Sequence, residues 1–237
     1  MSPTKLKMLG GCAAILLATS CATTPSTTGA NPNHFPFKYL ATDGRTIEIG
    51  PRTAMESGWN FKEPHLDKCW IRSDFDFNGY DTLYIAPTLS SAKLHGPEEE
   101  SPHELAKENL VIELTRSLRP KKMFTNIVTH ESDFKPGTKV LKLEITIVEY
   151  AKGGGAARYW AGLYGAGQPR LVVEGKITDG DKILCSFKAR RSGVSMGARL
   201  SGAFMKDEDI QLDDIRSLVL DFTDFSMAIA GKYQPLK

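Results

Sequence analysis

The chain has 237 residues, with 30 Lys and Arg against 28 Asp and Glu and a formal charge of +2. That length suffices for one ordinary domain with a real core. Its interspersed charges show neither the basic excess nor the basic stripe of a nucleic-acid binder, so no nucleic-acid partner is expected.

Lys5 and Lys7 precede a short apolar run from about Met8 to Leu17, which Ala18-Thr19-Ser20-Cys21 closes. A basic start, an apolar run too short to span a bilayer, and small residues before a cysteine form a bacterial lipoprotein signal over residues 1–20. Cleavage would free the amine of Cys21 for acylation while its sulfur carries diacylglycerol. At about 0.8 kcal/mol per buried CH₂, several acyl chains give a stable membrane anchor. An ordinary secretory signal with an incidental cysteine is the alternative. Cys12 has too little apolar sequence before it to serve. Residue 22 is Ala rather than Asp. In a Gram-negative bacterium that directs a lipoprotein to the outer membrane, here on its periplasmic face.

Residues 21–33, the modified cysteine and a Thr-, Pro- and Ser-rich stretch without large apolar side chains, read as a flexible tether. Residues 34–68 form an N-terminal extension, with a possible hairpin from Tyr39 to Ile49 turning at Asp43-Gly44. Residues 50–75 look irregular. The main domain is expected over 69–231, followed by a tail over 232–237.

Asp81 to Pro87 reads as a strand, and Leu89 to Glu100 as a polar loop. Ser101, Pro102 and Glu104 have the pattern of an N-cap, a first-turn proline and a capping box. Leu110, Val111, Leu114 and Leu118 then line one face of a helix that Pro120 stops. Phe124 to Thr129 can form a second strand. Lys139 to Tyr150 alternates, with Leu141, Leu143, Ile145 and Ile147 facing one way, the mark of a half-buried strand. Arg170 to Thr178 and Lys182 to Ala189 make a hairpin around Asp179-Gly180-Asp181. Asp207 to Ala230 is a helix, with Ile215, Leu218, Val219, Phe222, Ser226 and Ile229 on one face, acids at its start and Gly231 at its stop. The fold class is α/β of the α+β type: a single domain, a mostly antiparallel sheet with two helices packed on one face.

Phe75-Asp-Phe-Asn-Gly-Tyr-Asp-Thr-Leu-Tyr-Ile-Ala-Pro87 resembles the opening of a bacterial envelope lipoprotein family known as domain of unknown function 4410. Arg158-Tyr-Trp-Ala-Gly-Leu-Tyr-Gly-Ala-Gly-Gln-Pro-Arg-Leu-Val-Val-Glu-Gly-Lys-Ile-Thr-Asp179 is similar to its centre, where a Gly-Ala-Gly turn leads into an alternating strand. The resemblance covers about residues 70–231. It implies a small α/β domain on a lipid tether and supplies no catalytic residues. The short turn at Asp179-Gly180-Asp181 and the extension 34–68 depart from the family pattern.

Candidate chemistry is sparse. Gly193-Val-Ser195-Met-Gly197 matches G-x-S-x-G, but all five histidines, His34, His65, His95, His103 and His130, precede Ser195. The chain order of an α/β-hydrolase triad is therefore impossible. His103-Glu104 begins like H-E-x-x-H, with Lys107 where the second zinc ligand belongs. Ser132 and Lys135 fit S-x-x-K, but Pro136-Gly137 follows at once. The glycines between Gly153 and Gly167 lack a phosphate-binding motif. No metal and no cofactor is expected. Cys69 and Cys185 form a possible disulfide or remain two buried thiols, with Cys185 alternating with Ile183 and Phe187 on one strand face.

Arg158, Tyr159, Trp160 and Tyr164 stand out as the candidate partner-binding site, because large rings sit there among glycines. They either fold onto the sheet as a lid or form an adhesive loop, since Tyr and Trp dominate binding hot spots. The leading functional reading is a non-enzymatic, lipid-anchored module that binds an envelope protein. A periplasmic hydrolase using Ser195 and a carrier of lipid or a small molecule are the alternatives.

Overall fold

The computed structural model describes residues 37–40, 46–55, 58–62, 66–72, 74–154, 167–192 and 206–230, the first three segments as backbone only. Within these residues ten strands and two α-helices follow in chain order. The strands are β1 (Phe37–Leu40), β2 (Thr46–Met55), β3 (Gly58–Lys62), β4 (Lys68–Arg72), β5 (Thr82–Ile85), β6 (Leu89–Ser90), β7 (Asn126–Val128), β8 (Val140–Ala151), β9 (Arg170–Asp179) and β10 (Lys182–Arg191). Helix α1 (Glu100–Leu118) lies between β6 and β7, and α2 (Asp207–Ile229) follows β10. The sheet order is β1-β2-β3-β4-β10-β9-β8-β5-β7, with β6 also paired to β8. The pairings from β1 to β8 are antiparallel, whereas β5, β6 and β7 pair in parallel. This is the expected mostly antiparallel α+β sheet with two helices on one face.

The central strand is β8, where alternation in the sequence becomes alternation in burial. Leu141, Leu143, Ile145 and Ile147 are each at most 2% exposed, while Lys142, Glu144 and Thr146 face outward. Against that inner face lie Leu171, Val173 and Ile177 of β9, Cys185 and Phe187 of β10, and Leu83 and Ile85 of β5. The helices cover them with Ala106, Leu110, Leu114 and Leu118 of α1, and Ile215, Leu218, Phe222 and Phe225 of α2. Glu113 to Arg216 at 3.2 Å and Ser117 to Thr223 at 2.9 Å show that the two helices run parallel.

Strand β5 is buried on both faces. Leu83 and Ile85 meet the helix side, and Tyr84 is covered from the other side by Phe134, ring centroids 5.3 Å apart. Pro87 has no N–H to continue the ladder; the last bond is Ala86 N–H to Leu143 O, and pairing with β8 resumes at Leu89.

Several expectations change. Residues 50–75 are not irregular: β2 continues to Met55, and β3 and β4 extend the sheet. The Asp43-Gly44 turn lies outside the described residues, but β1 and β2 pair antiparallel as the hairpin requires. The loop 89–100 contains β6 and a 3₁₀ turn, Pro97–Glu99, that leads directly into α1. Helix α1 therefore begins before Ser101, its N-cap is Glu99, and no capping box forms. A register shift between Ile183 and Cys185 turns Ile183 outward, at 46% exposure, while Cys185 and Phe187 stay inward. Gly231 also lies outside the described residues; α2 ends at Ile229 with Ala230 as its C-cap.

Gly175 marks the tightest packing. A Cβ there would sit 2.2 Å from the ring of Phe187, which stacks at 4.7 Å on Phe222 of α2. Gly175→Ala is expected to lower stability by about 1–3 kcal/mol, the usual cost of overpacking a core. Urea unfolding followed by circular dichroism measures it, and an unchanged midpoint would show that the ring yields freely.

Candidate functional site

Strands β5, β8 and β10 point the same way, so the connections after β8 and β10 leave the sheet at one end. The first residues of α1 and α2 arrive there too, bringing Glu100 and Asp207, Glu208 and Asp209. Acids in a first turn complement the positive end of the helix dipole.

The base of the β8–β9 connection is built at this end. Gly154 N–H donates to Gly167 O at 2.8 Å. Gly153 and Gly167 hold φ of +86° and +69°, a region that favours glycine. A Cβ on Gly153 would meet Gly167 O and Pro169 N at 2.8 Å. From below, the buried carboxylate of Glu99 accepts Lys152 N–H at 3.1 Å and His95 N–H at 2.8 Å. One side chain therefore clamps the connections that follow both β6 and β8. Across the same end, Arg191 at the end of β10 makes a hydrogen-bonded ion pair with the buried Asp221 of α2.

Beneath lies a polar cluster. His103 Nε2 is 2.8 Å from Ser90 Oγ, and its ring stands edge-on to Tyr150 at 5.0 Å. Tyr150 donates its hydroxyl to Gln211 Oε1 at 2.9 Å. This arrangement depends on a register shift between Ile147 and Glu149, which brings Tyr150 inward where strict alternation would have placed Glu149. Neither that shift nor the meeting of His103 with Tyr150 was legible as spacing. In the sequence the His103-Glu104 pair shows only as an incomplete zinc motif.

The chemistry available here is structural. Ser90 Oγ accepts the Ala92 N–H at 3.2 Å and lies 3.4 Å from Ile147 O, so it ties β6 to β8 and α1. Glu104 faces Lys107 at 2.8 Å and His103 Nδ1 at 3.5 Å on the exposed helix surface. Ser132 sits in a 3₁₀ turn, bonded to Asp133 at 3.3 Å. Among the described residues no three His, Cys, Asp or Glu side chains form a metal cluster, and no helix is long and apolar enough to cross a membrane.

The candidate residues Arg158, Tyr159, Trp160 and Tyr164, and likewise Cys21 and Ser195, lie outside the described residues. Cys69 and Cys185 are within them and are not joined by a disulfide. Both face the core on neighbouring strands, but Cys185 stands opposite Ile71, and Cys69 opposite Phe187. Such diagonal neighbours are typically ~7–8 Å apart, beyond the roughly 4.4–6.8 Å between Cα atoms that a disulfide spans.

Burial pushes the Tyr150 phenol up to about 12, aided by Glu99, Glu208 and Asp207 against the pull of the Gln211 bond. Tyr80, part-buried and bonded to Asp179, also rises to about 12. An unfolded phenol ionises near ~10, so the unfolded chain loses these protons first. The associated stability is intact below pH ~10 and is lost as pH climbs toward the folded values. Tyr150→Phe is expected to flatten part of that alkaline decline in urea midpoints measured across this range; an unaltered slope would refute the assignment.

The family model for a domain of unknown function (DUF4410) matches residues 73–197. No curated protein matches the chain in sequence. Among solved structures, the PelC dodecamer from Paraburkholderia phytofirmans is similar at 11% identity and a TM-score of 0.37, over 60% of this chain and 88% of that one. Protein XCC0632 from Xanthomonas campestris, of family DUF330, is similar at 9% identity and a TM-score of 0.35, over 65% and 86%.

Proposed function

The chain belongs to the DUF4410 family, and from that premise we propose that it is a non-enzymatic accessory module of the bacterial envelope. Cys21 anchors it by acyl chains to the periplasmic face of the outer membrane, residues 22–33 let the domain stand off the surface, and the end carrying the β8–β9 connection binds a protein partner. The observation that carries this reading is the built base of that connection. Two positive-φ glycines, the Gly154–Gly167 bond and the Glu99 clamp hold a segment rich in rings and glycine at one end of a rigid sheet. Fixing both ends of that segment reduces the ordering cost of binding, and Tyr and Trp supply contact area. Arg158 and Arg170 flank the rings and pair with acidic groups of the partner.

Cross-linked pull-down from intact envelopes tests the binding end. The Tyr159→Ala/Trp160→Ala variant is expected to lose a partner that wild type retains, and Trp160→Ala alone to cost about 2 kcal/mol or more, as a hot spot does. Identical recovery from both would sink the loop assignment. The anchor has its own readout: labelled palmitate should enter wild type and not Cys21→Ser, and equal labelling would remove Cys21 from the reading.

A further inference from the structure

Among the described residues, the sheet face opposite the helices carries an uncovered groove over β4, β10, β9 and β8, and one pairing there works against the fold. Lys188 of β10 stands directly across from Lys68 of β4. Like charges directly opposite on a sheet are destabilising. Glu174 relieves Lys188 from the other side at 2.9 Å, but Lys68 has no ion pair among the described residues. Departures from local consistency concentrate where function requires them.

The two lysines border a groove of about 530 Å³, inside the range of roughly 300–1,000 Å³ typical of small-ligand sites. Trp70 lines it in the adjacent row, directly across from Ser186. Lys176, Glu144, Glu174 and Thr146 complete the polar lining. Three lysines against two glutamates leave the groove with an excess of positive charge.

We infer that this groove binds an acidic saccharide, whose sugar rings each bear no more than one anionic group. The anion sits between Lys68 and Lys188 and removes their mutual repulsion through charge-assisted hydrogen bonds. The apolar C–H face of the sugar ring lies on the indole of Trp70, which offers flat apolar area. Glu144, Glu174 and Ser186 accept hydrogen bonds from hydroxyls. Burial works against ionisation of Glu144, but hydrogen bonds from Lys176 and Lys142 outweigh it and hold its carboxyl below the usual range, so it remains an acceptor. The same two carboxylates repel a densely charged ligand such as a polyphosphate, and a neutral sugar leaves Lys68 unanswered.

The test uses the full chain purified in detergent. Tryptophan fluorescence is titrated with digalacturonate, with neutral maltose and with inorganic phosphate. Digalacturonate is expected to give a saturable change, maltose to bind about tenfold or more weaker, and phosphate to leave the spectrum unaltered. Lys68→Met should weaken digalacturonate by about tenfold or more while raising the thermal midpoint of the free protein, and Lys68→Arg should retain both binding and midpoint. Trp70→Phe should remove most of the spectral change. Absence of saturable digalacturonate binding, equal binding by Lys68→Met, or competition by phosphate as strong as by the sugar would each overturn the proposal. Trp59 and Trp160 contribute to the total emission, but the loss of the change in Trp70→Phe assigns it to the groove, and no protein partner is needed, so the result is independent of the reading of the β8–β9 end.

Discussion

Everything in this domain hangs on the burial of one face of β8. Its four inward aliphatic side chains are closed over by two helices, and its ladder holds β9 on one side and β5 and β6 on the other. Burying an aliphatic side chain is worth about 1.5–3 kcal/mol, so this row contributes about 6–12 kcal/mol, small beside the chain entropy but comparable to the net stability of a whole domain. The rest follows by contact. Each neighbour of β8 must bury the same face, and α1 and α2 must lie side by side on it.

The parallel run of the helices has an electrostatic result. Both positive ends point to the end of the sheet where the β8–β9 and β10–α2 connections leave, and the acids of both first turns gather there. That end therefore combines backbone N–H groups, carboxylates and two glycine-rich connections. The far end carries the helix C-termini, with Arg116, Arg119 and Lys121 in the last turns. The two ends of the domain differ in charge as well as in chain geometry.

Elements written in a strict period were legible in the sequence. The alternation of 140–147, the hairpin at Asp179-Gly180-Asp181 and the stripe of α2 all stand where periodicity places them, because burial against a flat neighbour selects one residue in two or one in three to four. Positions where the phase slips were illegible. The shifts at Ile147/Glu149 and Ile183/Cys185 change which side chain faces inward without altering the composition nearby. The start of α1 was misjudged because Ser101 and Glu104 carry the letters of a cap, whereas the 3₁₀ turn at Pro97–Glu99 had already begun to wind the chain. Glu99 left no trace at all, since a carboxylate that holds two distant backbone N–H groups has no characteristic spacing.

The slip in β8 also bears on how the length of this chain can vary. Up to Ile147 the inward set is odd-numbered, and after the slip it passes to Tyr150. One residue lost between them would make the alternation regular with Tyr150 still inward, but it would abolish the shift that sets the end of β8 against β9, although this stretch lies next to a loop, where length changes are usually tolerated. The Gly154–Gly167 bond marks the boundary beyond which the count no longer matters to the core. In the β8–β9 connection, a change of length that leaves the sheet in register is therefore one made beyond that bond, within 155–166.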